Sequence, residues 1–426
     1  MRPLCPLTSM LLLMSLWACQ GPEASSAASA APVSAPASTP ATTSRPGPPT
    51  LAPIDAGALW TKYCALCHGA DATGYVADNA PSLVSETFLA TVSDGFLRES
   101  IARGRPGTAM AGYAKRVGGP LEEREISALV QWVRAQRPVT RIVPLPNTGG
   151  GDRVNGEAVY TAQCAKCHGT PAQRVDAVHL ANPVFLQLAS DPFIRHAIVH
   201  GRPGTRMEAF GSVLTETQIN DVVAYIRSLA HPHLDKPPMA ATAAPVKVPE
   251  WRSLPLNPNG KTPKFTVRAD RFVPIVEVNR ALAEKQRIII VDARAPSDFV
   301  ALHIEGAVSL PYYDLGLIDK LKNDGTWIIA YCGCPHHASG VVVDELRKRG
   351  FKNSAVLDEG LFAWQRAGYP IVGMPGMQGI AAPPMHPGHE GHDHSGHGHG
   401  HGHGHGHGHG HPGHVNPPHG HPGHVH

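Results

Sequence analysis

Two short segments of this 426-residue chain repeat one arrangement of cysteine and histidine. They are Cys64-Ala-Leu-Cys67-His68 and Cys164-Ala-Lys-Cys167-His168. On a helix, residues i, i+3 and i+4 share a face, so two thiols can form thioethers to one porphyrin edge while the imidazole ligates the iron. A C-x-x-C pair alone also suits a disulfide or half of a zinc site. Its duplication together with a matched methionine favours covalent haem attachment at both segments.

A methionine at the end of a repeated loop is the predicted second iron ligand of each segment. The pattern Gly-Arg-Pro-Gly-Thr-x-Met occurs at 104–110 and again at 201–207. A loop rich in Pro and Gly can bring the thioether of Met110 or Met207 to the open face of a haem. Ligation by His and Met fills both axial positions, which favours electron transfer over ligand chemistry.

A third group of reactive residues is Cys332-Gly-Cys334-Pro-His336-His337, which follows an apolar run and precedes a helical pattern. Loop N–H groups and a helix N-terminus stabilise a thiolate or persulfide, so we expect Cys332 to be a nucleophile of lowered pKa. Cys334 would be its resolving thiol, and His336 or His337 a proton acceptor or anion holder. The same four side chains would alternatively form a soft-metal site.

The overall charge argues against nucleic acid as a partner. Lys plus Arg is 37 and Asp plus Glu is 34, a formal charge of only +3, whereas nucleic-acid binding needs a strong basic excess.

Seventeen of the 27 histidines lie at or after His386, in a Gly/His/Pro tail. Flexible His-rich tracts commonly bind divalent metal ions; the alternative is a passive solubilising extension.

The N-terminus is typical of a secretory signal. Arg2 precedes an apolar stretch from Met10 to Ala18, which is too short for the roughly 20 residues that a membrane span needs. Leu16-Trp17-Ala18-Cys19 resembles a bacterial lipobox and predicts Cys19 as a lipidated first residue. The alternative is a signal peptide cut elsewhere. We therefore expect an exported lipoprotein of a Gram-negative-type bacterium, in the periplasm or on the outer membrane or cell surface.

Composition and an internal repeat divide the chain into seven parts. Leu83 to Met110 aligns without gaps on Leu180 to Met207, and each copy ends in an apolar helical pattern. The predicted parts are a signal with a lipobox-like end (1–19), an Ala/Ser/Pro linker (20–53), a first repeat (55–137), a second repeat (152–230), a Pro-rich linker (231–264), an ordered region of alternating β and α patterns (265–374) and the Gly/His-rich tail (375–426). The linkers and tail are expected to be disordered.

Both repeats resemble class I cytochrome c domains. The motifs above carry the resemblance, together with an N-terminal helix at Gly57 to Tyr63 or Gly156 to Tyr160 that would cross a C-terminal helix bearing Trp132 or Tyr225. The resemblance implies two all-α domains with two covalent haems c, one ligated by His68 and Met110 and the other by His168 and Met207. It also suggests Arg105 and Arg202 as partners of haem propionates; solvated loop positions are the alternative.

Residues 265–374 resemble a rhodanese-like domain of α/β class with a parallel sheet. The matching segments are Val291-Asp292-Ala293-Arg294, His303-Ile304-Glu305-Gly306-Ala307, Tyr331-Cys332 and Asp358-Glu359-Gly360-Leu361-Phe362-Ala363-Trp364. In the family, the Cys that ends the central strand takes up sulfane sulfur as a persulfide. Many sulfurtransferases also have an Arg inside this loop, which this chain lacks, so the alternative is an inactive fold used for docking.

These resemblances predict a multidomain electron-transfer protein in which Cys332 handles sulfane sulfur or thiol redox. Whether the chain is a sulfurtransferase, a sulfur oxidoreductase or a carrier only is left open by the sequence. The expected partners are a periplasmic electron donor and acceptor, a small sulfur compound or persulfide carrier, and a membrane reached through the lipid anchor. The competing hypothesis is a Cu, Ni or Zn redox protein in which the Cys/His loop and the tail bind metal.

Overall fold

The computed structural model describes residues 52–142, 150–230, 251, 254–333 and 336–374. Several sequence predictions lie outside these residues. They are the signal, Cys19 and its lipid anchor, Cys334, the divalent metal on the tail at 375–426 and most of the two linkers. The predicted disorder of the second linker is wrong for residues 254–264, because Leu256 pairs with Ile288 and the Lys261 carbonyl accepts the amide of Arg287 at 2.9 Å. Within the described residues, no helix is long and apolar enough to cross a bilayer.

Each repeat folds into the same succession of five helices, which confirms the duplication. The first repeat contains α1 (Ala56–Tyr63), α2 (Ala65–His68), α3 (Glu86–Thr91), α4 (Asp94–Arg103) and α5 (Glu123–Gln136). The second repeat contains α6 (Arg153–Gln163), α7 (Ala165–His168), α8 (Pro183–Leu188), α9 (Asp191–His200) and α10 (Glu216–Ser228).

The first and last helices of each repeat pack against each other, as the resemblance predicted. In the first repeat the rings of Trp60 and Trp132 stack with centroids 4.4 Å apart, and the predicted stripe on α5 is buried. In the second repeat Tyr160 contacts Tyr225 at 5.1 Å. A Cβ on Gly156 would lie 2.0 Å from the carbonyl oxygen of Asp221, so only glycine permits this approach of α6 to α10.

The loops that carry the methionines turn back on the helices before them. Ser93 and Ser190 cap α4 and α9 by accepting the amides of Phe96 and Phe193. Gly104, after α4, has φ 66°, and a Cβ there would lie 2.4 Å from the Met110 carbonyl oxygen. The left-handed conformation open to glycine therefore sets where each methionine loop begins.

The C-terminal region is an α/β domain, which confirms the predicted class. Its strands are β1 (Phe272–Val273), β2 (Ile288–Asp292), β3 (Leu302–Ile304), β4 (Val308–Ser309), β5 (Trp327–Tyr331), β6 (Ser354–Leu357) and β7 (Ile371–Gly373). Its helices are α11 (Ile275–Ala283), α12 (Pro296–Ala301), α13 (His337–Lys348) and α14 (Gly360–Arg366). Five strands form a parallel sheet of order β1-β6-β5-β2-β4, and β3 pairs antiparallel with β7.

The parallel sheet is covered on both faces, as expected for strands that are apolar throughout. The residues of β2 are all buried. Val342, Val343 and Leu346 of α13 pack on one face, while Leu361 and Trp364 of α14 pack on the other. Because β5 lies at the centre of the sheet, Cys332 leaves it at the carboxyl edge, where ligands bind in open α/β sheets.

One helix differs clearly from its prediction. The N-terminal helix of the second repeat runs over Arg153–Gln163 instead of Gly156 to Tyr160. Asp152 caps it by accepting the amides of Val154 and Asn155, at 2.7 and 3.0 Å. This cap stabilises a first turn that apolar periodicity does not reveal.

Candidate functional site

The first Cys-x-x-Cys-His segment forms α2 and presents a neutral imidazole. His68 is buried, and its Nδ1 lies 3.0 Å from the carbonyl oxygen of Pro81. Burial lowers the pKa of His68, although the Pro81 carbonyl opposes this. With Nδ1 donating to the carbonyl, Nε2 carries the lone pair that an iron ligand needs.

The second segment repeats this arrangement on α7. His168 Nδ1 lies 2.7 Å from the carbonyl oxygen of Val178, and burial lowers its pKa in the same way. Within the described residues, Cys64, Cys67, Cys164, Cys167 and Cys332 are all free thiols. The C-x-x-C pairs are therefore not disulfides in this structure, and their sulfurs are available for thioethers.

The two methionine loops have the same internal hydrogen bonds. The amide of Arg105 donates to the Met110 carbonyl at 2.7 Å, and that of Arg202 to the Met207 carbonyl at 2.8 Å. Thr108 and Thr205 accept the amides of the two methionines, each at 3.1 Å. Both methionine side chains are half-buried. Their role as iron ligands stays a prediction.

Two buried arginines test whether these sites fit haem. Burial lowers the pKa of both Arg105 and Arg202 to about 10. Arg105 donates to Ser100 Oγ at 2.7 Å and Arg202 to Thr87 Oγ1 at 3.3 Å, and within the described residues neither forms an ion pair. A buried guanidinium without a counter-ion is costly. The residues therefore fit a group that brings carboxylates, as the haem propionates do.

The third site is the buried thiol of Cys332 at the end of β5. Cys332 is 6% exposed, and its Sγ lies 3.3 Å from Ser339 Oγ. The backbone N–H groups of Ser339 and His336 also hydrogen-bond this sulfur. At the other side, Leu361 N donates to the Cys332 carbonyl at 3.0 Å. The loop thus surrounds the sulfur with donors, as the sequence predicted.

The expectation of a lowered pKa for Cys332 is wrong. Burial raises the pKa of this thiol, and the negative charge of Asp78 raises it further. The hydrogen bonds from Ser339 and His336 lower it but do not outweigh burial. Cys332 is consequently a protonated thiol at neutral pH, and its reactivity depends on what removes the proton.

The two histidines of the loop turn to different partners. His336 Nε2 lies 2.6 Å from the Asp358 carbonyl oxygen, and its ring is 4.2 Å from that of Phe272. His337 Nδ1 lies 3.9 Å from Asp78 Oδ1 in the first repeat. Within the described residues, no group of three or more His, Cys, Asp and Glu is placed to hold a metal ion; Cys334, a predicted ligand, lies outside them.

Asp78 is a site residue that the sequence reasoning missed. Its Oδ2 lies 3.9 Å from Cys67 Sγ, and its other oxygen faces His337. Burial, then Asp78 and Cys332, raise the pKa of the Cys67 thiol, so the three groups share one electrostatic environment. More than 250 residues separate Asp78 from Cys332, and no motif links them, so only the tertiary structure reveals the pair.

A buried ion pair stabilises the end of β2, the strand beside the third site. Arg294 Nη2 lies 2.6 Å from Asp292 Oδ2 at the end of β2, and the Asp292 side chain is fully buried. Arg294 also donates to the Leu302 carbonyl. These contacts explain the Val-Asp-Ala-Arg segment structurally, because they tie β2 to β3.

Two protein-family models match the chain. The model described as cytochrome c oxidase, cbb3-type, subunit III matches residues 52–133 and 152–226. The rhodanese-like domain model matches residues 276–367. The first covers the two helical repeats, and the second covers the α/β domain.

Individual relatives agree with these matches. Cytochrome c6 of Rippkaea orientalis is 32% identical over 88 residues, 20% of this chain and 78% of the relative. The cbb3-type cytochrome c oxidase subunit FixP of a Bradyrhizobium species is 27% identical over 189 residues, 42% of this chain and 61% of the relative. A solved thiosulfate sulfurtransferase of Pseudomonas aeruginosa is 26% identical, covers 24% of this chain and 20% of its own, and has a TM-score of 0.23.

The chain belongs to the cytochrome c family and carries a rhodanese-like domain after its two cytochrome repeats. Its cytochrome c domains are electron-transfer domains and imply covalently bound haem c. The chain spans about half to three fifths of the length of several curated relatives that it matches.

Proposed function

We propose that this protein is an exported dihaem cytochrome c that transfers electrons and whose rhodanese-like domain accepts sulfur on Cys332. The observation that carries the proposal is the repetition of one complete attachment site. Both segments have a free C-x-x-C pair and a His whose Nδ1 is bound to a carbonyl oxygen. Both are followed by the same methionine turn. Two sites of one construction support two haems per chain.

The residues that would hold the haems follow from this repetition. Cys64, Cys67, Cys164 and Cys167 would form the thioethers, and the axial pairs would be His68 with Met110 and His168 with Met207. When bound, haem c supplies a reversible one-electron change at iron. Arg105 and Arg202 would pair with propionates, which removes the cost of their burial.

The sulfur step follows from the donors around Cys332. The Cys332 thiol loses its proton and attacks the outer sulfur of a persulfide donor, R–S–SH. The donor S–S bond breaks, the Cys332–S–SH bond forms, and RS⁻ leaves and takes up the released proton, so no net oxidation occurs. The Ser339 hydroxyl and the N–H groups of Ser339 and His336 stabilise the anionic persulfide. Cys334 would resolve the persulfide: its thiolate would attack the Cys332 sulfur, the persulfide S–S bond would break, a Cys332–Cys334 disulfide would form, and HS⁻ would leave.

A haem count tests the electron-transfer part. Pyridine haemochrome analysis of purified holoprotein should give two covalent haems per chain, whereas one haem or fewer would overturn the dihaem proposal. The Cys164→Ala, Cys167→Ala double variant should lose one of the two.

A Cys19→Ala variant tests the lipid anchor. It should move from the membrane fraction to the soluble periplasmic fraction if Cys19 is the lipid anchor.

Mass spectrometry tests the sulfur part. After exposure to glutathione persulfide, the wild-type peptide containing Cys332 should gain one sulfur atom, and the Cys332→Ser variant should not. Stoichiometric Cu, Ni or Zn on the loop without any sulfur uptake would instead support the metal-handling alternative. No uptake and no metal would indicate a docking domain.

A further inference from the structure

The rhodanese-like domain packs on the face of the first repeat that carries the haem-attachment segment. Tyr312 and Tyr113 both donate to the carbonyl oxygen of Tyr63, at 2.8 and 3.0 Å, and their hydroxyls lie 3.4 Å apart. The ring of Tyr313 meets that of Tyr63 edge to face at 4.8 Å. Since Tyr63 directly precedes Cys64, these contacts hold the rhodanese-like domain against the start of the C-x-x-C-H helix.

A second set of contacts lies after the methionine of the same repeat. Ser297 Oγ donates to the Gly112 carbonyl oxygen at 2.6 Å, two residues beyond Met110. Ala295 is 2% exposed and belongs to the same apolar core as Trp60 and Leu129 of the first repeat. The contact is therefore a continuous packed interface with polar anchors at both of its ends.

Asp78 bridges the two reactive centres across this interface. It lies 3.9 Å from Cys67 on one side and 3.9 Å from His337, on the loop of Cys332, on the other. Its side chain is only 14% exposed. Its backbone is left-handed, with φ 54°, and His336 opposite has φ 89°. Non-glycine residues in this conformation cost free energy and persist where the surroundings enforce them, often at functional sites.

The second repeat has a different neighbour. Thr87 Oγ1 of the first repeat donates to the Gly201 carbonyl at 2.8 Å, and Asn182 of the second repeat donates to the Pro106 carbonyl at 3.0 Å. The rings of Phe88 and Phe193 also meet across this contact, at 6.2 Å. The first repeat thus lies between the rhodanese-like domain and the second repeat.

We propose that the first repeat is the electron partner of sulfur held on Cys332, and that Asp78 is the positioning residue that joins the two sites. This inference rests on the proposed function. Joining a thiol RSH to the Cys332 persulfide, Cys332–S–SH, breaks two S–H bonds, forms one S–S bond and releases two protons and two electrons. Cys64, Cys67, His68 and Met110 would hold the haem c that supplies the oxidant for the first electron, and the haem of the second repeat would supply the oxidant for the second electron.

Alkylation of Cys332 tests the inference without any turnover. Iodoacetate and iodoacetamide add groups of nearly equal size, but only the first adds a negative charge. The two haem midpoint potentials of the full-length holoprotein are measured by spectroelectrochemistry after each treatment, with mass spectrometry to confirm modification of Cys332. The haem of the first repeat is identified as the one whose signals change in Met110→Ala.

Carboxymethylated protein should have a lower midpoint potential at the first-repeat haem than carboxamidomethylated protein, because a nearby negative charge favours ferric iron. The midpoint potential of the second-repeat haem should be the same in both. Asp78→Asn should raise the midpoint potential of the first-repeat haem. Asp176→Asn, in the corresponding loop of the second repeat, should leave the midpoint potential of the first-repeat haem unchanged. Equal shifts at both haems, no shift, or a shift at the second haem would overturn the inference. These potentials do not depend on sulfur loading, so failure of the proposed function would be visible separately in the mass spectra.

Discussion

Cys332 has the position of a nucleophile and the acidity of a buried thiol. Donors from Ser339 and His336 favour its thiolate, while burial and Asp78 oppose it. Because the thiolate is the reactive form, a raised pKa means slow reaction at neutral pH and a rate that rises with pH, about tenfold per unit well below the pKa. The environment therefore favours the protonated thiol at neutral pH.

Single substitutions should move this reactivity in opposite directions. Asp78→Asn removes a negative charge, lowers the pKa of Cys332 and should speed its alkylation at pH 7 by about two- to tenfold, the effect of a pKa change of up to one unit. Ser339→Ala removes a hydrogen bond to the thiolate and should slow it. Peptide mass spectrometry of iodoacetamide-treated holoprotein measures both rates. Asp176→Asn is the matched control, and an equal acceleration there would contradict the role of Asp78.

The two methionines proposed as axial ligands give a second prediction at this scale. Met110→Ala or Met207→Ala should open one iron to an added ligand such as imidazole or CO and lower the potential of that haem, because thioether ligation raises it. Optical titration with the ligand counts the open sites, with one expected per variant. Met374→Ala, at the end of β7, should open none. A variant that binds no ligand would show that another residue is the axial ligand.

Sequence reasoning proposed residues for covalent attachment and iron ligation but did not predict the electrostatics of the sites. Cys64, His68 and Met110 could be assigned because their spacing is local and occurs twice. The raised pKa of Cys332 could not, because it depends on burial in the folded protein and on Asp78 in the first repeat.

At the scale of elements, one arginine on the last helix of each repeat holds the connection between two other helices. Arg134 on α5 donates to the Leu89 and Val92 carbonyls, each at 2.6 Å, and to Asp94. Arg227 on α10 makes the equivalent contacts with Leu186, Ala189 and Asp191. Each guanidinium donates to carbonyls at the end of a short helix, where helical hydrogen bonds are missing.

Replacing this arginine should destabilise its own repeat. Arg134→Met keeps most of the apolar side chain and should cost about 1.5–3 kcal/mol, since it removes the charged donor of the Leu89 carbonyl and leaves Arg141 as the donor to Val92 and Asp94. Denaturant unfolding of holoprotein, followed at the haem bands, measures the change. Arg124→Met, at an exposed position on the same helix, should have little effect. Equal midpoints for the two variants would contradict this role of Arg134.

Periodicity predicted the existence and type of the elements better than their ends. The stripe on α5 and the buried run of β2 appear as predicted because burial repeats with the period of each element. The start of α6 was missed because a polar cap, Asp152, and not an apolar residue determines it.

At the scale of the whole molecule, the spatial order of the three domains differs from their order along the chain. The first repeat contacts both of the others through Tyr63 and Thr87. No local pattern indicates such contacts, because they join residues far apart in the chain and depend on the shape of complete domains.

The His-rich tail should act independently of these domains. Truncation after Met385 should leave the haem spectrum and the thermal midpoint unchanged in metal-free buffer and should abolish binding of several Zn²⁺ or Ni²⁺ ions, measured by calorimetry. Metal affinity of the full chain should fall as pH drops through about 6.5, because protonated imidazole cannot ligate. A large spectral change on truncation would contradict this independence.

The coupling of sulfur chemistry at Cys332 to the cytochrome domains is tested most directly by the rate of haem reduction. Fully oxidised wild type and Cys332→Ser, matched for haem content and midpoint potentials, are mixed with glutathione persulfide in a stopped-flow spectrophotometer. Transfer of its outer sulfur to Cys332 would leave glutathione as the thiol that is then joined to the Cys332 persulfide with release of two electrons. We expect rapid, saturable reduction of the wild-type haem bands and only the slow, non-saturable direct reaction in Cys332→Ser. Reduction of both proteins at the same rate would contradict it.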